Sequence, residues 1–362
     1  MKISINDLKY DCRFFRGDVP CKPHKDHGVH CIDNNGSDCG YYNPVKQKIL
    51  IIKLGAIGDV IRTTPLLRKL KEDKPDAEVW WLTHTPEVIP KSVDYILSFT
   101  PQTITTLQAT PFDSIYNLDK DKEACALTSL LTAQTKHGFT IRNGKCVPIN
   151  HLAEHKYFTG VFDDLSRTNT KSYQQEIFEI CGYTFSGEKY IMPEVTGYLW
   201  KIPKRKKIVG LNTGCGGRWT SRLWPDAYWV ALAKKLRKAG HIPLLLGGEQ
   251  EHKKNQRLSK QSGALYLGHF PLDRFMDEVN QCDLVVTAVT MAMHFAIGCG
   301  KKIILFNNIF NKYEFELYGQ GEILEPEFEC TCFYSPTCPN NCMQYLSVDR
   351  VFDACRRLLK LL

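Results

Sequence analysis

Nothing in this 362-residue chain is apolar for long enough to cross a bilayer. One long uncharged stretch, Leu284 to Gly300, holds a His and several small residues. A secretory leader is not expected either, since Met1 to Phe15 carries charges throughout and has no apolar h-region. Large blocks of one charge sign are equally scarce. The net charge of +8 is spread along the chain, and Lys204-Arg205-Lys206-Lys207 is the only dense basic run. That run lacks interleaved aromatics and any known reading motif, so it reads as the start of a strand after a linker, and nucleic acid is excluded as a partner. There is no repeat of fixed period. The expectation is a cytoplasmic protein of open oligomeric state, whose contact with lipid, if any, is peripheral at the inner membrane. The diffuse positive charge suits a phosphate-bearing ligand.

Cysteine, by contrast, is plentiful, at 15 residues. Inside the cell these are reduced thiols unless they hold a metal. Cys12, Cys21, Cys31 and Cys39 crowd the first forty residues, with His24, His27 and His30 between them. Residues 1–45 show neither helical nor strand periodicity and are too polar to build a core, so they are either disordered or clamped. The spacing is wider than paired C-x-x-C, yet four thiolates suit tetrahedral zinc or an iron–sulfur cluster. A structural metal is expected there, zinc ahead of iron–sulfur. A second crowd, Cys330, Cys332, Cys338 and Cys342, lies near the end, and the other seven look like small buried hydrophobes.

Lys48–Leu54 (KILIIKL) is a nearly continuous apolar run, as expected for a strand buried on both faces. It enters Gly55-Ala56-Ile57-Gly58-Asp59, after which Val60, Ile61, Leu66, Leu67 and Leu70 recur at helical spacing. Strand-like pieces follow at Glu78–Thr83 and Asp113–Leu118, then a helix at Ser172–Tyr183. A second series begins after Pro203. It comprises a strand at Lys207–Asn212, a helix over Pro225–Ala239 and a strand at Ile242–Leu246. Helices from Glu249 and Pro271 come next, then the strand Leu284–Thr287, a small-residue helix to Gly298 and the strand Lys302–Phe306. Val348–Leu362 is the last helix. Such alternation predicts parallel sheets wrapped by helices, in two α/β halves joined near residue 200 with a cleft between them.

Four segments have the composition for chemistry. Gly55–Asp59 is a glycine turn opening a helix, which offers backbone N–H groups to an anion; Asp59 there is either a plain N-cap or a modest general base. Asn212 to Arg222 joins glycines, the hydroxyls of Thr213, Thr220 and Ser221, and the guanidinium groups of Arg218 and Arg222, which suits a diphosphate leaving group. Gly247-Gly248-Glu249-Gln250-Glu251 offers a carboxylate for ribose hydroxyls or is merely an acidic helix start. In Thr290-Met291-Ala292-Met293-His294, the His falls one turn past the Thr, as a cleft residue or a core one.

The order of these segments resembles a known family. Gly55, Gly58 and Asp59 are followed by Pro65-Leu66, Arg222-x-Trp224-Pro225, Gly247-Gly248 with Glu251, and Thr290 with His294. Cys330, Cys332, Cys338, Cys342 and Met343 then precede a terminal helix. Residues 47–362 are similar to the lipopolysaccharide heptosyltransferases of glycosyltransferase family 9. The resemblance implies a GT-B fold, two Rossmann-like domains facing across a cleft, with the Cys-rich segment as an addition. The implied division is 1–45, an acceptor domain 46–200, a nucleotide-sugar domain 201–346 and a terminal helix 347–362. It also implies an inverting transferase that moves a heptose-like sugar from an ADP-linked donor to a saccharide or glycolipid hydroxyl, with no cofactor for catalysis. Asp59 would be the general base. Gly58, Thr213, Gly214, Arg218, Arg222, Glu251, Thr290, Met291 and His294 would bind the donor, and the second cysteine group would be a loop packed at the domain edge. The chain departs from the family in two places. Arg222 stands where a Lys is usual, and Val289-Thr290-Met291 replaces Asp-Thr-Gly, removing a carboxylate. A nucleotide-sugar epimerase and a non-catalytic nucleotide-sugar binder are the rival readings. Asp119-Lys120-Asp121 is read as a chance likeness to the DxD of metal-dependent transferases.

Overall fold

A computed structural model describes residues 4–33, 36–203 and 206–360. Lys204 and Arg205 of the basic run, and Leu361 and Leu362, with which the last helix was expected to end, lie outside the described residues.

The described residues form two sheets, parallel except for one hairpin strand. The first contains β1 (Gln47–Ile52), β2 (Ala77–Thr83), β3 (Tyr95–Ser98), β4 (Phe112–Asn117), β5 (Ala133–Arg142) and β6 (Lys145–Pro148), in the order β3-β2-β1-β4-β5-β6. The apolar run of β1 makes it a central strand, paired with β2 and β4 in parallel, and Ile49 to Ile52 are wholly buried. Leu50, Ile52, Trp80, Leu82, Phe112 and Ile115 form the core on one face. Only β6 runs antiparallel. Asn143 (φ 50°) and Gly144 (φ 72°) turn β5 back on itself, the backbone that a two-residue hairpin requires.

The second sheet contains β7 (Ile208–Asn212), β8 (Ile242–Leu246), β9 (Leu284–Ala288), β10 (Lys302–Phe306) and β11 (Gly321–Leu324), in the order β11-β10-β9-β7-β8, all parallel. The helix Asp226–Lys238 lays Trp229, Leu232, Ala233 and Leu236 on this sheet, where they meet Val351, Ala354 and Leu358 of the terminal helix Val348–Leu359.

The helix expected after Asp59 is broken. Ile57–Ile61 and Leu66–Asp73 are separate helices with a turn at Arg62–Pro65. Pro65 has no N–H to donate and drives the residue before it out of the helical region.

Contacts divide the chain into two compact units. One comprises Met1–Leu54, Leu67–His84 and Ser92–Ile149, and the other comprises Gly55–Leu66, Thr85–Lys91 and Asn150–Leu362. The glycine loop after β1 therefore groups with the second sheet, along with the segment 150–200.

The N-terminal segment belongs to the first unit. It has a short helix, Lys22–His27, closed by Gly28 in the left-handed region (φ 68°), and bridges at Cys12–Pro44 and Ile32–Asp38. Arg13 fastens it to the first sheet by an ion pair with Asp94 and a 2.9 Å hydrogen bond to the Ala77 carbonyl.

Candidate active site

Each sheet changes direction of strand order at one place, β1/β4 in the first and β7/β9 in the second. Ligands of open α/β sheets bind beyond the carboxyl ends of strands at such points. The loops after β7 and β9 are tied together there. Asn212, the last residue of β7, donates through Nδ2 to Thr287 Oγ1 (3.0 Å) and Thr290 Oγ1 (3.1 Å), and also to the Gly214 carbonyl. Thr290 is the N-cap of the helix Met291–Gly298, with its backbone extended and its hydroxyl 3.0 Å from that of Thr287. The first N–H groups of this helix, from Met291 onward, carry its positive end.

His294 lies one turn further along and is 5% exposed. Burial, reinforced by the charge of Arg62, pushes its pKa down to about 3 against the opposing pull of Asp59, so the ring is neutral at physiological pH. Nδ1 lies 3.3 Å from the Tyr190 hydroxyl. On its other side the ring touches the backbone of Gly58, where a Cβ would fall 2.4 Å from Cδ2 and 2.7 Å from Nε2. Gly58 is thus glycine for reasons of space. The next residue, Asp59, sits in the first turn of Ile57–Ile61 and pairs with Arg62 at 2.8 Å. The Arg62 guanidinium lies 3.6 Å from the centre of the Tyr173 ring. Burial opposes its charge, but Asp59 and neighbouring acidic and phenolic groups outweigh that and raise its pKa.

The loop after β7 is held by hydrogen bonds from its own side chains. Arg222 is buried and spends its donors on the loop itself, bonding the Cys215 carbonyl at 3.0 Å and the Val289 carbonyl. It therefore joins the β7 loop to the β9 loop. Burial lowers its pKa. Thr213 is also buried and gives its hydroxyl to Asn255 Oδ1 at 2.6 Å. Arg218 is exposed and faces the Trp219 ring. Glu251 is brought up to the loop, since a Cβ on Gly214 would fall 2.0 Å from its Oε1, while its Oε2 accepts the Gly248 N–H at 3.1 Å.

Arg62, Tyr190 and Lys254 complete the arrangement and were missed from the sequence. Lys254 donates to the Thr213 carbonyl at 2.8 Å and pairs with Asp226 at 3.2 Å, which adds a cation at the loop. Its place one turn past Glu251, like that of Arg62 one turn past Asp59, was the available signal. Asp119 has a structural task in the first unit, pairing with buried Lys53 at 3.2 Å and accepting the Leu54 N–H at 2.8 Å.

The two cysteine groups differ in how closely their sulfurs approach. Among the described residues, Cys330, Cys332, Cys338 and Cys342 are the one group of metal-ligating side chains whose ligand atoms all lie within 4.8 Å of one another. Cys12, Cys21, Cys31 and Cys39 do not close in this way, although all four line one small cavity of about 20 Å³ together with His30. Chain connectivity explains the difference. The later four lie within thirteen residues, while the earlier four are separated by a helix and several turns.

Two parallel-sheet units, each with loops gathered at a switch point, define a GT-B-type α/β protein. Residues 170–310 match the model of glycosyltransferase family 9 (heptosyltransferase), a match that supports a glycosyltransferase using a nucleotide sugar. Solved structures agree on the fold. The family 9 glycosyl transferase of Veillonella parvula is 16% identical with a TM-score of 0.60, covering 88% of this chain and 98% of its own. The Escherichia coli heptosyltransferase WaaC with ADP is 16% identical with a TM-score of 0.61, over 86% of this chain and 100% of its own. The E. coli ADP-heptose lipopolysaccharide heptosyltransferase II is 14% identical with a TM-score of 0.61, over 87% and 99%. Comparison with curated proteins gives no match. Among the described residues, no helix is long and apolar enough to cross a membrane.

Proposed function

We propose that the chain transfers a heptose-like sugar from a nucleoside diphosphate to a hydroxyl of a saccharide or glycolipid, with inversion at the anomeric carbon. The supporting observation is the contact of Gly58 with His294. It joins the residue beside Asp59 to the helix whose N-terminus begins at Thr290, four residues earlier and about 6 Å along the axis. The short helix that carries Asp59 is thereby packed on the helix whose N-terminus would receive the anion. Asp59 takes the proton of the acceptor hydroxyl as its oxygen bonds to the anomeric carbon. The bond from that carbon to the diphosphate breaks on the opposite side. A carboxylate beside a guanidinium is a weak base, suited to accepting a proton late in the displacement.

The departing diphosphate is received by the N–H groups at Thr290–Met291 and by the cations Arg218 and Lys254, on a loop held in shape by Arg222 and Thr213. Glu251 takes the ribose hydroxyls, and His294 supports the base through Gly58. The solved E. coli heptosyltransferases, one bound to ADP and one named for ADP-heptose, make ADP-heptose the first donor to try. In this reading 46–200 serves the acceptor, 201–346 the donor and 347–362 is a terminal helix. The shared cavity of Cys12, Cys21, Cys31 and Cys39 supports a metal in the segment 1–45. Four thiolates suit zinc ahead of an iron–sulfur cluster there.

A thermal-shift screen of nucleotide sugars is the test. A donor at one hundred times its dissociation constant adds about 2.7 kcal/mol of stability. With acceptor present, NMR of the product then reads the anomeric configuration, and inversion is expected. Retention would refute the single displacement. Conversion of the donor's sugar without any acceptor would instead identify an epimerase, and binding without turnover a non-catalytic binder.

A further inference from the structure

We propose that Cys330, Cys332, Cys338 and Cys342 bind one thiophilic ion, zinc or iron, and that this ion braces the donor loop. The bracing role rests on the reading of Thr213–Arg222 as the donor loop.

The thiols carry the first half. A tetrahedral ion with metal–sulfur bonds of about 2.3 Å sets its sulfurs about 3.8 Å apart. Here Sγ separations are 3.7 Å for Cys332–Cys342, 3.4 Å for Cys330–Cys338 and 2.9 Å for Cys330–Cys332. All exceed the roughly 2.05 Å of a disulfide, and all are shorter than the span of a multi-iron cluster. Cys332, Cys338 and Cys342 are buried against Ile309, beside Trp219 and Phe310. The Asn308 amide donates to Cys342 Sγ at 3.3 Å, the kind of outer contact that steadies a thiolate ligand. A cavity of about 210 Å³ bordered by Asn308, Glu325, Cys330 and Cys342 gives the ion a way in.

The second half follows from what the cysteine segment holds. Its carbonyls receive the donor loop: Ser221 N–H bonds Pro336 O at 3.0 Å, and Ser221 Oγ bonds Ser335 O at 2.8 Å. Asn308 Nδ2 bonds Ser221 O at 2.8 Å, so one amide links the loop to a thiol. Trp219 and Phe310, which pack on the thiols, lie over the Arg222 guanidinium at 5.9 and 5.5 Å. Residues 333–341 include no regular helix or strand, so four ligand bonds at the ends and middle of this segment would fix the carbonyls that position Ser221 and Arg222.

The test uses the full chain. Metal content by mass spectrometry should fall by one equivalent per chain in the Cys332→Ser/Cys342→Ser variant and stay constant in Cys125→Ser. Thiolate-to-iron absorption that disappears in the double variant indicates iron, and zinc lost without any change of colour indicates zinc. Unchanged metal content in the double variant overturns the site. Should that variant fail to fold, cobalt titrated into the metal-free wild-type chain must give the absorption of a tetrahedral tetrathiolate; its absence is equally fatal. ADP affinity reads the bracing separately, and removal of the ion should weaken it at least tenfold. Loss of metal with unaltered ADP affinity overturns the brace alone. An absence of ADP binding by the intact protein would instead condemn the donor-loop reading.

Discussion

Gly58→Ala probes the contact on which the site depends. The new Cβ would meet His294 at 2.4 and 2.7 Å, about an ångström inside van der Waals contact. The ring cannot slide away, because Tyr190 stands at its Nδ1 and it is almost wholly buried. Overpacking of this kind costs about 1–3 kcal/mol, while alanine in place of a helical glycine returns up to about 1 kcal/mol. A net destabilisation of about 1–2 kcal/mol is expected in urea unfolding. The decisive comparison is a double-mutant cycle with His294→Ala, which removes the atoms that the Cβ would strike. In that background Gly58→Ala should be neutral or stabilising, giving a coupling of at least about 1 kcal/mol. Equal effects in both backgrounds would refute the contact.

His294 also sets a pH dependence. Its folded pKa, near 3, lies below the ordinary value of 6.5, so between these limits the unfolded chain binds a proton that the folded chain does not. Stability should fall as pH drops through this window, by about 1.4 kcal/mol per unit from this group, and His294→Gln should flatten the slope in acid unfolding. Glu278 acts at the other end. It is buried with neither carboxyl oxygen hydrogen-bonded, and burial raises its pKa to about 8 from 4.5. The folded chain then holds a proton that the unfolded chain has released, so stability drops as pH rises from 4.5 to 8. Glu278→Met should gain on the order of 3 kcal/mol at pH 7 relative to pH 4, read by thermal melts. Arg222→Lys keeps the charge but loses the fork that joins Cys215 and Val289. ADP affinity should fall about 10- to 100-fold, the equivalent of one charge-assisted hydrogen bond, with calorimetry as the check.

Most of the fold was legible because its strands are buried on both faces, so Lys48–Leu54 and Lys302–Phe306 announce themselves as continuous apolar runs. Edge strands β3 and β11, partly exposed and four residues long, give no such signal. The hairpin of β5 and β6 did have one, the Asn143-Gly144 pair, which was overlooked. For the candidate site, Gly58, Asp59, Thr290 and Glu251 stood out in the sequence because the proposed chemistry restricts their residue types. Tertiary contact decided the rest. Nothing in the spacing of Arg222 indicates that it bonds two carbonyls, or that the first glycine loop packs with the second sheet. The cysteines show the same limit, as composition favoured the N-terminal group and geometry closed the other.

The central claim is that Asp59 serves the transfer step and not the binding of the donor. Asp59→Asn keeps the side chain's shape and removes its basicity, so calorimetric ADP affinity should stay within about threefold of wild type. Single-turnover transfer from the nucleotide sugar that binds best should meanwhile fall by about 10²- to 10⁴-fold. Transfer at near wild-type rate in this variant would contradict the account.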